Sequence, residues 1–244
     1  MTKVHFVLQK KGGVGKSLIS TMWFQFLQER GYNVFGIDTD PSNHSFAGFA
    51  ELGVTELDIL NAEKDIDPRR FDVLIETVFE LPGEDPNLIV DSGSSCFPSL
   101  KSYLLENKAF DVLLEAGHQV ILHVPITGGS DMVHTAECLD ELLVDFPDLV
   151  FVVWKNRYNG DIVMNGKEFE DFKLYKKHSS RLEAVIDLPH KKQATYGKDI
   201  ELLLAKKHTF KAGINSSMPV MTRQRLKTFW EESCIAMEKA LVVL

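Results

Sequence analysis

The stretch Val4-His5-Phe6-Val7-Leu8-Gln9, followed at once by Lys10-Lys11-Gly12-Gly13-Val14-Gly15-Lys16-Ser17, decides how the rest of the chain is read. The first run is short and apolar, as a buried strand is. After the glycines, Leu18, Ile19, Met22, Trp23, Phe26 and Leu27 recur at helical spacing between Lys16 and Arg30, and Gly31 stands as the stop. Strand, glycine-rich turn and helix in this order make a phosphate-binding loop. A β-carbon there would block the positive-φ turns or the close approach of backbone N–H groups to phosphate oxygens. The helix N-terminus adds unpaired donors and partial positive charge. Lys16 is placed to neutralise β- and γ-phosphates, and the Ser17 hydroxyl is the expected direct Mg²⁺ ligand. Gly12, Gly13, Val14, Gly15, Lys16, Ser17 and Leu18 are the candidate nucleotide contacts, with Lys10 standing where the GxxxxGK[ST] pattern has its first glycine.

Working outward, further strands read at Asn33–Asp38, Leu88–Asp91, Val120–Val124, Leu149–Trp154 and Arg181–Leu188. They are short and lack alternation, the mark of parallel strands buried on both faces. Helices are expected at 68–80, 98–115 and 130–146, and a closing helix runs from Thr222 through Leu226, Phe229, Trp230, Met237 and Leu241. The acidic stretch 51–67 reads as an irregular insertion. The fold class is therefore α/β: a mostly parallel twisted sheet flanked by helices on both faces, a Rossmann-like three-layer P-loop arrangement. Residues 1–244 are expected to form one domain, since no linker or repeat marks a second.

Composition is that of a globular protein, 44% hydrophobic and 25% charged. The net charge of -8 argues against a generally cationic nucleic-acid or membrane binder. It is unevenly spread: residues 1–150 hold 10 Lys+Arg against 24 Asp+Glu, a balance of −14, whereas residues 151–244 hold 17 against 11, a balance of +6. Cys96, Cys138 and Cys234 fit neither a disulfide framework nor a zinc site, which predicts a reducing, cytoplasmic setting. No stretch approaches ~18 uninterrupted apolar residues, and Glu231, Glu232 and Glu238 on the last helix would be repelled by anionic headgroups, so no membrane association is expected.

The segment Lys11-Gly12-Gly13-Val14-Gly15-Lys16-Ser17 resembles the deviant Walker A motif, KGGxGK[ST], of the ParA/MinD family of ATPases. The resemblance implies an ATP-dependent homodimer in which Lys11 reaches the partner's nucleotide, much as an arginine finger does. Asp38-Thr39-Asp40-Pro41 is similar to the family's switch I, implying that Asp38 holds Mg²⁺ through water and Asp40 orients the attacking water. Leu88-Ile89-Val90-Asp91-Ser92-Gly93 resembles Walker B leading into switch II. It puts Asp91 at the carboxyl edge of the sheet as a second outer Mg²⁺ candidate, and Gly93 where the backbone must swing.

No [NT]KxD guanine motif stands at a suitable place. Lys155-Asn156-Arg157-Tyr158 is similar to the segment from which the family offers an Asn to adenine, making Asn156 the candidate base contact and Pro189 a wall of the base pocket. HFVLQ before the loop, IDTDPSNHSF and DSGSSCFPSLKSYL bring the chain nearest to small plasmid-encoded members of the TraL/StbC type, associated with conjugation and plasmid stability. The implied function is a slow Mg-ATP-dependent switch acting with a plasmid-encoded partner protein. Two outputs remain open. Lys173, Lys176, Lys177, Arg181, Lys191, Lys192, Lys206, Lys207, Lys211, Arg223, Arg225 and Lys227 would form a face for nonspecific DNA; alternatively the chain senses ATP and recruits a partner without touching DNA.

Overall fold

The computed structural model describes residues 1–243. Its strands are β1 (Lys3–Val7), β2 (Val34–Asp38), β3 (Thr55–Glu56), β4 (Asn87–Asp91), β5 (Gln119–Thr127), β6 (Val150–Asn156), β7 (Val163–Met164), β8 (Lys167–Glu168) and β9 (Leu182–Asp187). Seven of them form one sheet in the order β3-β2-β4-β1-β5-β6-β9, with parallel pairing at each step. The antiparallel β7–β8 hairpin stands apart.

The helices are α1 (Lys16–Glu29), α2 (Asp72–Glu80), α3 (Phe97–Glu106), α4 (Ala109–Glu115), α5 (Met132–Asp145), α6 (Lys173–His178), α7 (Lys198–Ala205), α8 (Phe210–Ile214) and α9 (Val220–Leu241). They cover both faces. Val4, Phe6, Leu88, Val90 and Leu122 point into a core closed by α2 to α5, while Val7, Ile89, Ile121 and Val152 point into a second closed by α1, α7, α8 and α9. Successive strand residues serve opposite faces, both apolar, which is why the strands read as unbroken hydrophobic runs. Phe210 anchors the second layer, stacked on Trp230 at 4.8 Å between ring centres.

The structure redraws some expected elements. The run 98–115 is two helices, because Lys108 adopts φ 49 and breaks the ladder after Asn107. Within the acidic insertion, Thr55 and Glu56 add an edge strand to β2, a pairing too short for periodicity to show. The β7–β8 hairpin is exposed, while α6 is held against α5, and α7 and α8 against α9, contacts that local periodicity does not announce.

A polar chain runs through the second core. Trp154 Nε1 donates to His123 Nδ1 at 2.9 Å, which puts the His123 proton on Nε2, 2.9 Å from His5 Nδ1. Trp23 Nε1 donates to the same His5 nitrogen at 3.2 Å, so His5 carries its proton on Nε2 and donates to Asn87 Oδ1 at 3.1 Å. Both rings are neutral: burial lowers the His5 pKa to about 4 and that of His123 well below its ordinary value.

Candidate nucleotide and magnesium site

The carboxyl ends of β1, β2 and β4 converge, and the loop after β1 lies across them. In register, Asp91 stands beside Val7 on one side and Asp38 on the other, so both strand-end carboxylates line one side of the glycine-rich turn. Sheet order causes this: β4 is inserted between β2 and β1.

Positive φ within the loop falls on Gly13 (74°) and Gly15 (94°). The backbone at Lys10 does not require glycine, which explains how the first pattern position tolerates a lysine. Lys10 Nζ pairs with Glu141 at 2.6 Å, and its N–H points at Cys138 Sγ at 3.5 Å. A β-carbon on Gly15 would stand 2.7 Å from Asn156 Nδ2, and one on Gly12 would stand 3.2 Å from Ser94 Oγ, so the loop is also closed in by its neighbours.

Lys16 is buried, with Nζ donating to Lys11 O at 3.1 Å, and desolvation lowers its pKa. Asp91 is buried too. Its Oδ1 accepts from Ser20 Oγ at 2.7 Å, the Ser17 hydroxyl stands near the carboxyl group, and Oδ2 has no hydrogen-bond partner in the protein. Burial pushes its carboxyl up to about 7. A buried carboxylate oxygen without a partner, beside a hydroxyl, offers oxygen donors to a hard divalent cation or its water shell. The residues present therefore fit Mg²⁺.

Asp38 is occupied differently. Its Oδ1 accepts from Asp40 N at 3.0 Å, and its Oδ2 from Phe46 N at 2.9 Å and Ala47 N at 3.0 Å. It organises the loop after β2 from inside, while burial raises its pKa. Asp40 in turn accepts from Ser42 N at 2.9 Å and Asn43 N at 3.1 Å, and lies against Gly93. Lys11 turns to Asp131, 3.1 Å away at the start of α5.

A cleft of about 1070 Å³ opens beyond Gly13, Gly15 and Leu18. Asn156, Tyr158, Leu188, Pro189 and Tyr196 line it, and Pro189 follows β9 beside the end of β6, where Leu188 N donates to Lys155 O at 3.1 Å. Asn156 Nδ2 donates to Val14 O at 3.0 Å and its Oδ1 accepts from Tyr158 N at 3.2 Å, so this amide holds the glycine loop to β6 and has one hydrogen left to offer. Val14 itself is buried and contributes its carbonyl to that bond.

Sequence reasoning missed Ser20, Asp131 and Tyr158. Ser20 was within reach, since it follows Ser17 by one helical turn on the same face. Asp131 carries no local signal and reaches Lys11 only through tertiary packing, whereas Tyr158 lies in the segment already singled out and is bonded to Asn156 two residues before it. Among the described residues, no group of three or more His, Cys, Asp or Glu is arranged to hold a metal ion by itself, and no helix is long and apolar enough to cross a membrane.

Residues 5–223 match the CobQ/CobB/MinD/ParA nucleotide binding domain. The chain is 38% identical to Protein TraL of Escherichia coli over 245 residues, covering 100% of both chains, and 39% identical to a second Escherichia coli Protein TraL over 229 residues, 93% of each. The fold is shared with the MinD cell division protein of Aquifex aeolicus, at TM-score 0.53 and 12% identity over 98% of this chain and 97% of that one. Strand order, the glycine loop and these full-length matches agree: the chain belongs to the CobQ/CobB/MinD/ParA nucleotide-binding family, as a TraL-type member.

Proposed function

We propose that the chain binds Mg-ATP, associates into a homodimer when nucleotide is bound, and hydrolyses ATP slowly as a cytoplasmic switch in plasmid partition, stability or conjugative transfer. The observation that carries this reading is the convergence of buried Lys16 with the unpartnered Asp91 Oδ2 beside Ser17. Two buried groups of opposite charge that do not pair with each other, Lys16 donating instead to Lys11 O, are arranged for a charged ligand.

In this reading the loop N–H groups from Gly12 to Ser17 cradle the phosphates, and Lys16 neutralises the β- and γ-oxygens. Ser17, with Asp38 and Asp91 behind it, would hold Mg²⁺, which supplies charge neutralisation on the phosphates when bound. Asp40 orients the attacking water by accepting its hydrogen. Lys11 leaves Asp131 and meets the partner's nucleotide, so that hydrolysis depends on association. Asn156 and Pro189 border the base. ATP turnover and sedimentation of wild type, Lys11→Ala, Lys16→Ala and Asp40→Ala test the assignment. Lys16→Ala is expected to lose nucleotide, Lys11→Ala to lose turnover, and Asp40→Ala to accumulate an ATP-bound dimer; normal turnover in Lys11→Ala sinks the reading.

One observation favours output by recruiting a plasmid-encoded partner protein over output by DNA binding. Of the basic residues in the second half, Lys176, Lys177, Lys191, Arg225 and Lys227 stand in ion pairs, and Arg181 donates to the carbonyls of Leu143 and Phe146. Exposed pairs are weak, about 0–1 kcal/mol each, but they cancel the field that would draw phosphates. A DNA mobility shift at low salt that appears only with ATP and Mg²⁺ would reverse this preference.

A further inference from the structure

Lys207 occupies a backbone position that suits glycine and uses its side chain elsewhere. It follows α7 with φ 53, and the amides of Lys207 and His208 donate to Leu204 O at 3.0 Å and Leu203 O at 3.2 Å. This is a left-handed helix cap, where a side chain adds steric cost and glycine is favoured. From there Nζ reaches across the fold to donate to Ser45 O at 3.2 Å. Its Cε and Cδ lie 3.0 and 3.1 Å from the place a β-carbon on Gly48 would take, and Nζ stands 5.5 Å from the centre of the Phe49 ring.

The segment it grips is the one that Asp38 holds from the other side, through Phe46 N and Ala47 N. The backbone from Ser45 to Ala47 is thus held between a carboxylate in the sheet and a lysine on the α7–α8 elbow. The elbow itself is fixed. The Thr209 hydroxyl bonds to the Glu51 carboxylate and caps α8 through Ala212 N at 3.1 Å, and Phe210 N donates to Gln25 Oε1 of α1 at 2.7 Å. The same helix α7 lines the cleft with Ile200, Glu201 and Leu204.

We propose that Lys207 is a positioning residue for the loop after β2: by clamping Ser45 to the elbow it fixes the backbone around Asp38 and Asp40, and through them the rate of hydrolysis. The proposal rests on the ATPase reading of the site. Catalytic geometry tolerates only about 0.5 Å of drift, so a loop clamped on one side alone would be slack.

The test compares wild type with Lys207→Gly and Lys207→Arg. Glycine suits the cap, so the melting temperature of Lys207→Gly should equal or exceed that of wild type. In nucleotide-free protein, hydrogen exchange at the Phe46 and Ala47 amides should speed up about tenfold or more. Turnover should fall about tenfold while KM for ATP stays within about twofold, and Lys207→Arg should restore both exchange and turnover. Unchanged exchange in Lys207→Gly overturns the clamp, and faster exchange with unchanged or raised turnover overturns the positioning role. If wild type shows no turnover, the ATPase reading fails, and exchange alone still decides whether the clamp exists.

Discussion

A β-carbon on Gly93 would stand 2.5 Å from the carboxyl carbon of Asp40 and 2.8 Å from each of its oxygens. The turn after β4 and the loop after β2 therefore meet through a residue that has no side chain. Gly93 is needed for clearance, since its φ lies outside the left-handed range.

Gly93→Ala should displace Asp40 without touching Lys16 or Ser17. Turnover is expected to drop at least tenfold, roughly 1.4 kcal/mol of transition-state stabilisation, with little change in nucleotide affinity. Single-turnover kinetics beside equilibrium binding of a fluorescent ATP analogue make the check. Equal losses in both would place the effect on the whole site.

Asp131 holds Lys11 within the same chain at 3.1 Å, with both side chains partly exposed. Asp131→Asn should leave the melting temperature nearly unchanged, because such a pair contributes about 0–1 kcal/mol. It should also release Lys11 and shift the ATP-loaded protein toward dimer. Sedimentation velocity with and without ATP measures this; a dimer fraction no larger than that of wild type would dismiss the restraint.

Asp38 and Asp91 should respond oppositely to amidation in the nucleotide-free protein. Asp38 accepts three backbone N–H bonds, and an Asn amide nitrogen cannot accept, so Asp38→Asn should lose about 1–3 kcal/mol of stability. Asp91 keeps one oxygen unpartnered and is held at a raised pKa of about 7 by burial, so Asp91→Asn should be neutral or stabilising at pH 8. Urea denaturation of both variants distinguishes the two roles.

The buried His5–His123 chain should tie stability to pH. Both folded-state pKa values lie below the unfolded value of about 6.5, that of His5 at about 4, so the folded state binds fewer protons between these limits. Their contribution is full above pH 6.5 and is lost as pH falls toward 4, by roughly 3 kcal/mol at most for His5. Asp91, with its raised pKa, acts with the opposite sign over the same window, its contribution being lost as pH rises through about 7. The informative quantity is therefore the difference between wild type and a His5→Gln/His123→Gln double variant. Urea midpoints from pH 7.5 to 5 should fall more steeply for wild type; parallel curves would show that the histidines do not titrate on unfolding.

Much of the sheet was legible because its signals are local. The glycine loop lies between a strand and a helix within a few residues, and Asp38 and Asp91 each close an apolar run. Other boundaries were not legible. Lys108 breaks a helix that its neighbours' periodicity continues, and Thr55–Glu56 is a strand only because β2 offers it an open edge. Asn156 stood out in the sequence as a candidate base contact, but its bonds to Val14 and Tyr158 left no trace there.

Local order in the chain was enough to determine the glycine loop between strand and helix, the alternation of strands and helices, and which carboxylates end at the carboxyl edge, since each depends on spacing over one element. Which groups meet was decided by the fold. Inserting β4 between β2 and β1 sets Asp91 against Ser20 and Gly93 against Asp40, and the return of α7 over the loop brings Lys207 to Ser45 across 162 positions. Such contacts depend on strand order and on how helices return over the sheet, and neither leaves a periodic trace in the residues that touch.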